Sequence, residues 1–179
     1  KVPEWMHFQT PMMQEVLQEI ATTDFVIDQD GKVEFPKEFN KFKIVFDGMK
    51  YKLGIGGLHS TEKNRAVFSD DEHVLIDADV ASQYPSIIMK LGLFPAALGS
   101  EFLPVYKSLI DTRLEAKRNG DKVTDKGLKI SINGAYGKLG SKYSVLFAPH
   151  LMISVTLTGQ LSLLMLIEAA HLAGIPVVS

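Results

Sequence analysis

The stretch "DADVASQYPSII", residues 77–88, places two carboxylates two positions apart, then a serine, a tyrosine and a proline. Just before it, "HVLIDADV" (73–80) alternates Val74, Ile76, Ala78 and Val80 with Asp77 and Asp79. Side chains two apart on a strand share a face, so a strand over 73–80 points both acids the same way. Pro85 is expected to stop that strand, and Ser86 to cap a short helix over 87–91.

Downstream, Val105, Tyr106, Leu109 and Ile110 recur at helical spacing from Phe102 to "NGD" at 119–121, a turn signal. A second helix is expected through "DKGLKISINGAYG" (125–137). So short a connection implies two antiparallel helices. On the second helix Lys129, Asn133 and Tyr136 fall at i, i+4 and i+7, on one face. On the first, Arg113 and Lys117 are one turn apart. Folding about residues 121–122 sets Arg113 level with Lys129, so three cations line one side of a helical hairpin. Such a trio suits a triphosphate, with the arginine adding a bidentate fork. The competing reading pairs these cations with Asp111, Glu115 and Asp125 on solvated helix faces.

Upstream, Met12, Met13, Val16, Leu17 and Ile20 have the spacing of an amphipathic helix over 11–22. "KIVFDGMKYKLG" contains two β-type runs around Asp47-Gly48, a hairpin signal. "LGIGGLHS" (53–60) is rich in glycine, yet Gly54, Gly56 and Gly57 do not form GxGxxG and no GK[S/T] follows. A turn is expected there, with His59 as a loop residue. The apolar segment 151–174 carries no charge before Glu168, but Ser154, Thr156, Thr158, Gln160 and Ser162 punctuate it. We read it as a buried core helix, 149–173, rather than a membrane span.

The 179 residues carry a net charge of −2 and no cysteine. Disulfides are thereby excluded, and a reducing cytoplasmic setting is expected. The average charge hides a division: from Lys107 to Lys142 there are nine basic residues against four acidic ones, which leaves the remainder net acidic. A basic segment beside an acidic one suits a site that holds a polyanion and cations together.

"DVASQYPSII" (79–88) resembles motif A of family B DNA polymerases, D-x-x-S-L-Y-P-S-I-I. "KISINGAYG" (129–137) resembles their motif B, K-x-x-x-N-S-x-Y-G, and Arg113 with Lys117 reproduces the R-x-x-x-K pair of their fingers helices. The resemblance covers about 73–173; residues 1–50 take no part, and Tyr51 to Gly57 is loosely similar to the linker ahead of the palm in phage enzymes. It implies an α/β (α+β) fold: an antiparallel palm sheet packed on helices, with Asp79 at the end of a central strand, and a helical-hairpin fingers subdomain. The organisation expected is an N-terminal region over 1–60, palm with motif A over 61–100, fingers with motif B over 101–142, and palm helix leading into a further strand over 143–179.

The resemblance implies template-directed addition of dNTPs to a primer 3′-OH by two-metal phosphoryl transfer, with Mg²⁺, or Mn²⁺ in its place. Asp79 and the Val80 carbonyl would be metal ligands, with Asp77 a lesser candidate. The backbone around Ser82 and Gln83 would cradle the triphosphate. Tyr84 would lie under the sugar and leave no room for a 2′-OH. Arg113, Lys117 and Lys129 would clamp the phosphates, with Lys129 also protonating pyrophosphate as it leaves. Asn133 would face the incoming nucleotide, and Tyr136 and Gly137 the nascent base pair and DNA.

Gln83 departs from the family's Leu and Gly134 from its Ser. The D-T-D turn of motif C, the thumb and an exonuclease are not found in the sequence. The implied partners are primer-template DNA, dNTPs and the remaining polymerase segments, with no membrane, in a host-cell cytoplasm if the gene is a phage's. A fragment of this kind is not expected to extend a primer alone. The alternatives are a non-catalytic module that binds DNA or a replication partner, and an unrelated metal-dependent nuclease, which would need a cluster of acids.

Overall fold

A computed structural model of the chain describes residues 2–61 and 66–178. It is an α+β protein with five α-helices, a 3-10 helix and one three-stranded antiparallel sheet among the described residues. Two compact units partition it. One comprises 1–24, 35–81 and 160–179; the other comprises 25–34 and 82–159.

In the first unit, helix α1 (Pro11–Thr22) forms where the apolar spacing places it and buries Met13, Val16 and Ile20. Its proline stands in the first turn, where the missing N–H would have no intrahelical partner. Strands β1 (Ile44–Phe46) and β2 (Met49–Lys52) pair antiparallel. Asp47 and Gly48 between them both take positive φ, at 49° and 79°. That is the tight turn whose twist matches the strands it joins.

The glycine-rich loop then turns the chain back into β3 (His59–Thr61), which adds to the other edge of β2. His59 is therefore an exposed strand residue rather than a loop residue. The Gln160 side chain fastens the loop as a peptide group would: its Oε1 accepts from the Gly54 N–H at 2.9 Å, and its Nε2 donates to the Gly54 carbonyl at 2.8 Å. Glu168 is buried, and its carboxylate accepts from the backbone N–H groups of Gln9 and Thr10, both at 2.9 Å, and from the Thr10 hydroxyl. Three donors thus satisfy a buried carboxylate at the start of α1, where helical N–H groups favour negative charge.

The strand expected over 73–80 is not formed. Those residues have no regular secondary structure, are exposed and lie outside the sheet, with Val74 and Ile76 more than three-quarters exposed. Alternation makes a strand only when another strand supplies the ladder and a layer covers the apolar face. Residues 175–178 likewise form no strand.

In the second unit, helix α2 spans Gln83–Lys90, beginning four residues earlier than expected. Pro85 does not end an element; it sits inside the first helical turn, where it costs no hydrogen bond. Helices α3 (Phe102–Arg118) and α4 (Lys122–Lys138) form the antiparallel hairpin, with α4 one turn longer at its start than 125–137. Asp121 caps α4 by accepting from the Val123 and Thr124 N–H groups, and Gly120 turns the chain at φ 74°. Ile87, Ile88, Tyr106, Ile132 and Val155 form the core, the last from helix α5 (Pro149–Leu172).

Helix α5 is long and apolar enough to cross a membrane by length and composition, and half of its most apolar window is buried by the chain itself. Its Thr156, Thr158, Gln160 and Glu168 are all buried. The reading as a core helix accounts for both observations.

Candidate functional site

The start of α2 is set by an uncommon backbone. Ser82, just ahead of the helix, is left-handed at φ 52° and ψ 45°, one of two non-glycine residues with positive φ among those described. A serine in that region costs about 1–2 kcal/mol and persists only where its surroundings hold it. Its hydroxyl does not cap the helix. Instead it accepts from Arg113 Nη1 at 2.8 Å, across 31 residues of chain.

The same guanidinium donates through Nε to Asp125 Oδ1 at 2.9 Å. Arg113 is largely buried, its side chain 14% exposed, and Asp125 is 25% exposed. Arg113 therefore stands level with Asp125, one turn before Lys129. Of the acids weighed as its partners, only Asp125 takes it; Asp111 pairs with Lys107. Lys117 and Lys129 are exposed and have no ion pair among the described residues.

At the second position of α2, Tyr84 packs on Tyr136 of α4, with ring centroids 4.3 Å apart and planes 39° apart. Burial, then the neighbouring Tyr136, pushes the Tyr84 hydroxyl pKa above its ordinary value. The Tyr136 hydroxyl shares a hydrogen bond with Thr156 of α5. Gln83 donates through Nε2 to the Gly159 carbonyl at 3.1 Å. A Cβ at Gly159 would meet Tyr84 Cε1 at 3.2 Å, so the glycine gives the ring its room. Thr156 and Gly159 hold the tyrosine pair, and the sequence did not single them out. The only trace of their role was a polar, small-residue punctuation of an apolar helix.

Gln83 thus spends its amide on α5. Asn133 and Gly137 are exposed on α4, and a side chain at Gly134 would meet open space. The structure brings together Ser82, Gln83, Tyr84, Arg113 and Tyr136. Asp77, Asp79 and Val80 lie in an exposed, irregular stretch of the first unit, not on a sheet face.

Carboxylates and a carbonyl at 77–80 are oxygen donors of the kind a hard divalent ion takes. Among the described residues, however, no three His, Cys, Asp or Glu side chains are grouped to hold a metal. The donors present do not by themselves fit a metal site. No family model, curated protein or solved structure matches the chain.

Proposed function

We propose that this chain carries nucleotide-handling elements of a DNA polymerase resembling family B, palm-side residues 79–91 and a fingers hairpin over 102–138. The observation that supports this most is the meeting of Arg113 with Ser82 and of Tyr136 with Tyr84. Residues from both motifs, and the arginine between them in sequence, share one compact unit although nothing in periodicity requires it.

In this reading Arg113, Lys117 and Lys129 neutralise the triphosphate, the N–H groups at the start of α2 receive its oxygens, and the Tyr84 ring lies under the sugar. Asp79 and the Val80 carbonyl are the oxygen donors that this reading assigns to Mg²⁺. What this chain's own residues do is bind, orient and neutralise.

The test is nucleotide binding followed by melting temperature. A dNTP with Mg²⁺ is expected to raise the midpoint, by the linkage of ligand to the folded state, and Lys129→Ala is expected to reduce the rise. A midpoint that moves for neither protein removes the nucleotide site. A second reading, a non-catalytic module that binds DNA or a replication partner, draws support from Arg113 being already paired with Asp125. It is favoured if oligonucleotide raises the midpoint and dNTP does not.

A further inference from the structure

Resting on the nucleotide reading above, we propose that Asp125 is an internal competitor for the polyphosphate: it occupies Arg113 when no nucleotide is bound and sets how tightly the phosphate tail is held. Arg113 reaches Asp125 Oδ1 through Nε at 2.9 Å and Ser82 Oγ through Nη1 at 2.8 Å. A guanidinium has five N–H donors, and its strongest grip on an anion uses two in parallel. With Asp125 on Nε, the edge that pairs Nε with Nη2 cannot close on a phosphate.

The carboxylate and an arriving phosphate carry the same sign of charge and seek the same donors. In a partly buried setting they repel at short range with little screening. A side-on, two-donor grip through Nε and Nη2 therefore requires Asp125 to leave. Asp125 lies in the first turn of α4, its N–H bonded to the Asp121 carbonyl, on the helix that carries Lys129 one turn on. Its departure is thus an event in the helix that presents a second phosphate ligand.

Ser82 makes the exchange felt at α2. Its left-handed backbone is held from the side-chain end by Arg113, so a guanidinium that turns toward a phosphate loosens the residue where the phosphate-receiving N–H groups begin. Asp125 is then a positioning residue that opposes binding, and removing its charge should tighten binding rather than weaken it. A purely structural ion pair gives the opposite result.

Inorganic tripolyphosphate binding by the full chain, followed calorimetrically, tests this. Asp125→Asn keeps an oxygen acceptor for Nε without the charge, and it is expected to tighten tripolyphosphate by about fivefold. Asp111→Asn, which removes the same charge from the exposed pair with Lys107, is expected to change it less than twofold. In an Arg113→Ala background the Asp125→Asn gain is expected to vanish. Should Asp125→Asn lower the melting midpoint, Asp125→Ser is measured alongside it below both midpoints.

Wild-type binding that Asp125→Asn leaves unchanged or weakens overturns the competitor role and leaves the phosphate clamp standing. Equal tightening by Asp111→Asn overturns it as well. Binding by neither the wild type nor the variants overturns both.

Discussion

Tyr106 shows how a single side chain fixes the helical hairpin. It is almost wholly buried on α3, and its hydroxyl donates to the Ile132 carbonyl of α4 at 3.0 Å. Burial pushes its hydroxyl pKa up to about 12, above the ordinary value of about 10. A pKa raised on folding adds stability that is whole below the unfolded value and is lost as pH rises through the folded one. The wild type should therefore lose stability between pH 10 and 12 more steeply than Tyr106→Phe, which lacks the ionising group. At neutral pH the same substitution should cost about 1 kcal/mol for the lost hydrogen bond. Urea unfolding of both proteins across that range reads both effects, and parallel curves would show that the hydroxyl ionises as freely folded as unfolded.

Among the elements, the hairpin and the 73–80 stretch behave oppositely. Helix α4 starts where it does because Asp121 accepts from Thr124 Oγ1 and from the Thr124 and Val123 N–H groups, contacts that hold its carboxyl below the usual aspartate range. A depressed pKa gives stability present above the unfolded value, about 3.9, and lost as pH falls through the folded one. Asp121→Ala should melt below the wild type at pH 7, with the gap narrowing as pH falls under about 4. Asp121→Asn, which keeps a cap, should show little of that pH dependence.

The hairpin was legible in the sequence because its two helices meet each other within 102–138, Tyr106 and Leu109 packing with Ile132, although Ile87, Ile88 and Val155 complete that core. The 73–80 strand was not, since a period-2 pattern reports which face could be buried and says nothing of what buries it. Ile76 makes the difference measurable. It is 84% exposed, so Ile76→Ala should change stability by no more than ~0.5 kcal/mol, whereas in a central strand it would cost about 2–5 kcal/mol.

At the scale of the whole molecule, the contacts of longest reach within the first unit come from polar residues set into an apolar helix. Spacing within α5 marks them only as interruptions. Gln160 meets Gly54 across 106 residues, and Glu168 meets Thr10 across 158. No local pattern foretells such partners, which is why the cation trio and Tyr136 could be placed on their helices from sequence, whereas Tyr84 was expected ahead of the helix it joins and the contacts of Thr156 and Gly159 had no local signal.

Glu168 is the case with the clearest energetic consequence. Its buried carboxylate takes the first N–H groups around α1, so replacing it leaves donors unsatisfied as well as removing the charge they favour. Glu168→Gln turns one acceptor into a donor facing donors and should cost about 1–3 kcal/mol, while Thr10→Val removes only the hydroxyl and should cost about 1 kcal/mol. Because both act on one carboxylate, the double variant should lose less than the two costs added, by about 0.5 kcal/mol or more. Strict additivity in chemical denaturation would mean that the carboxylate and the threonine hydroxyl stabilise the fold independently.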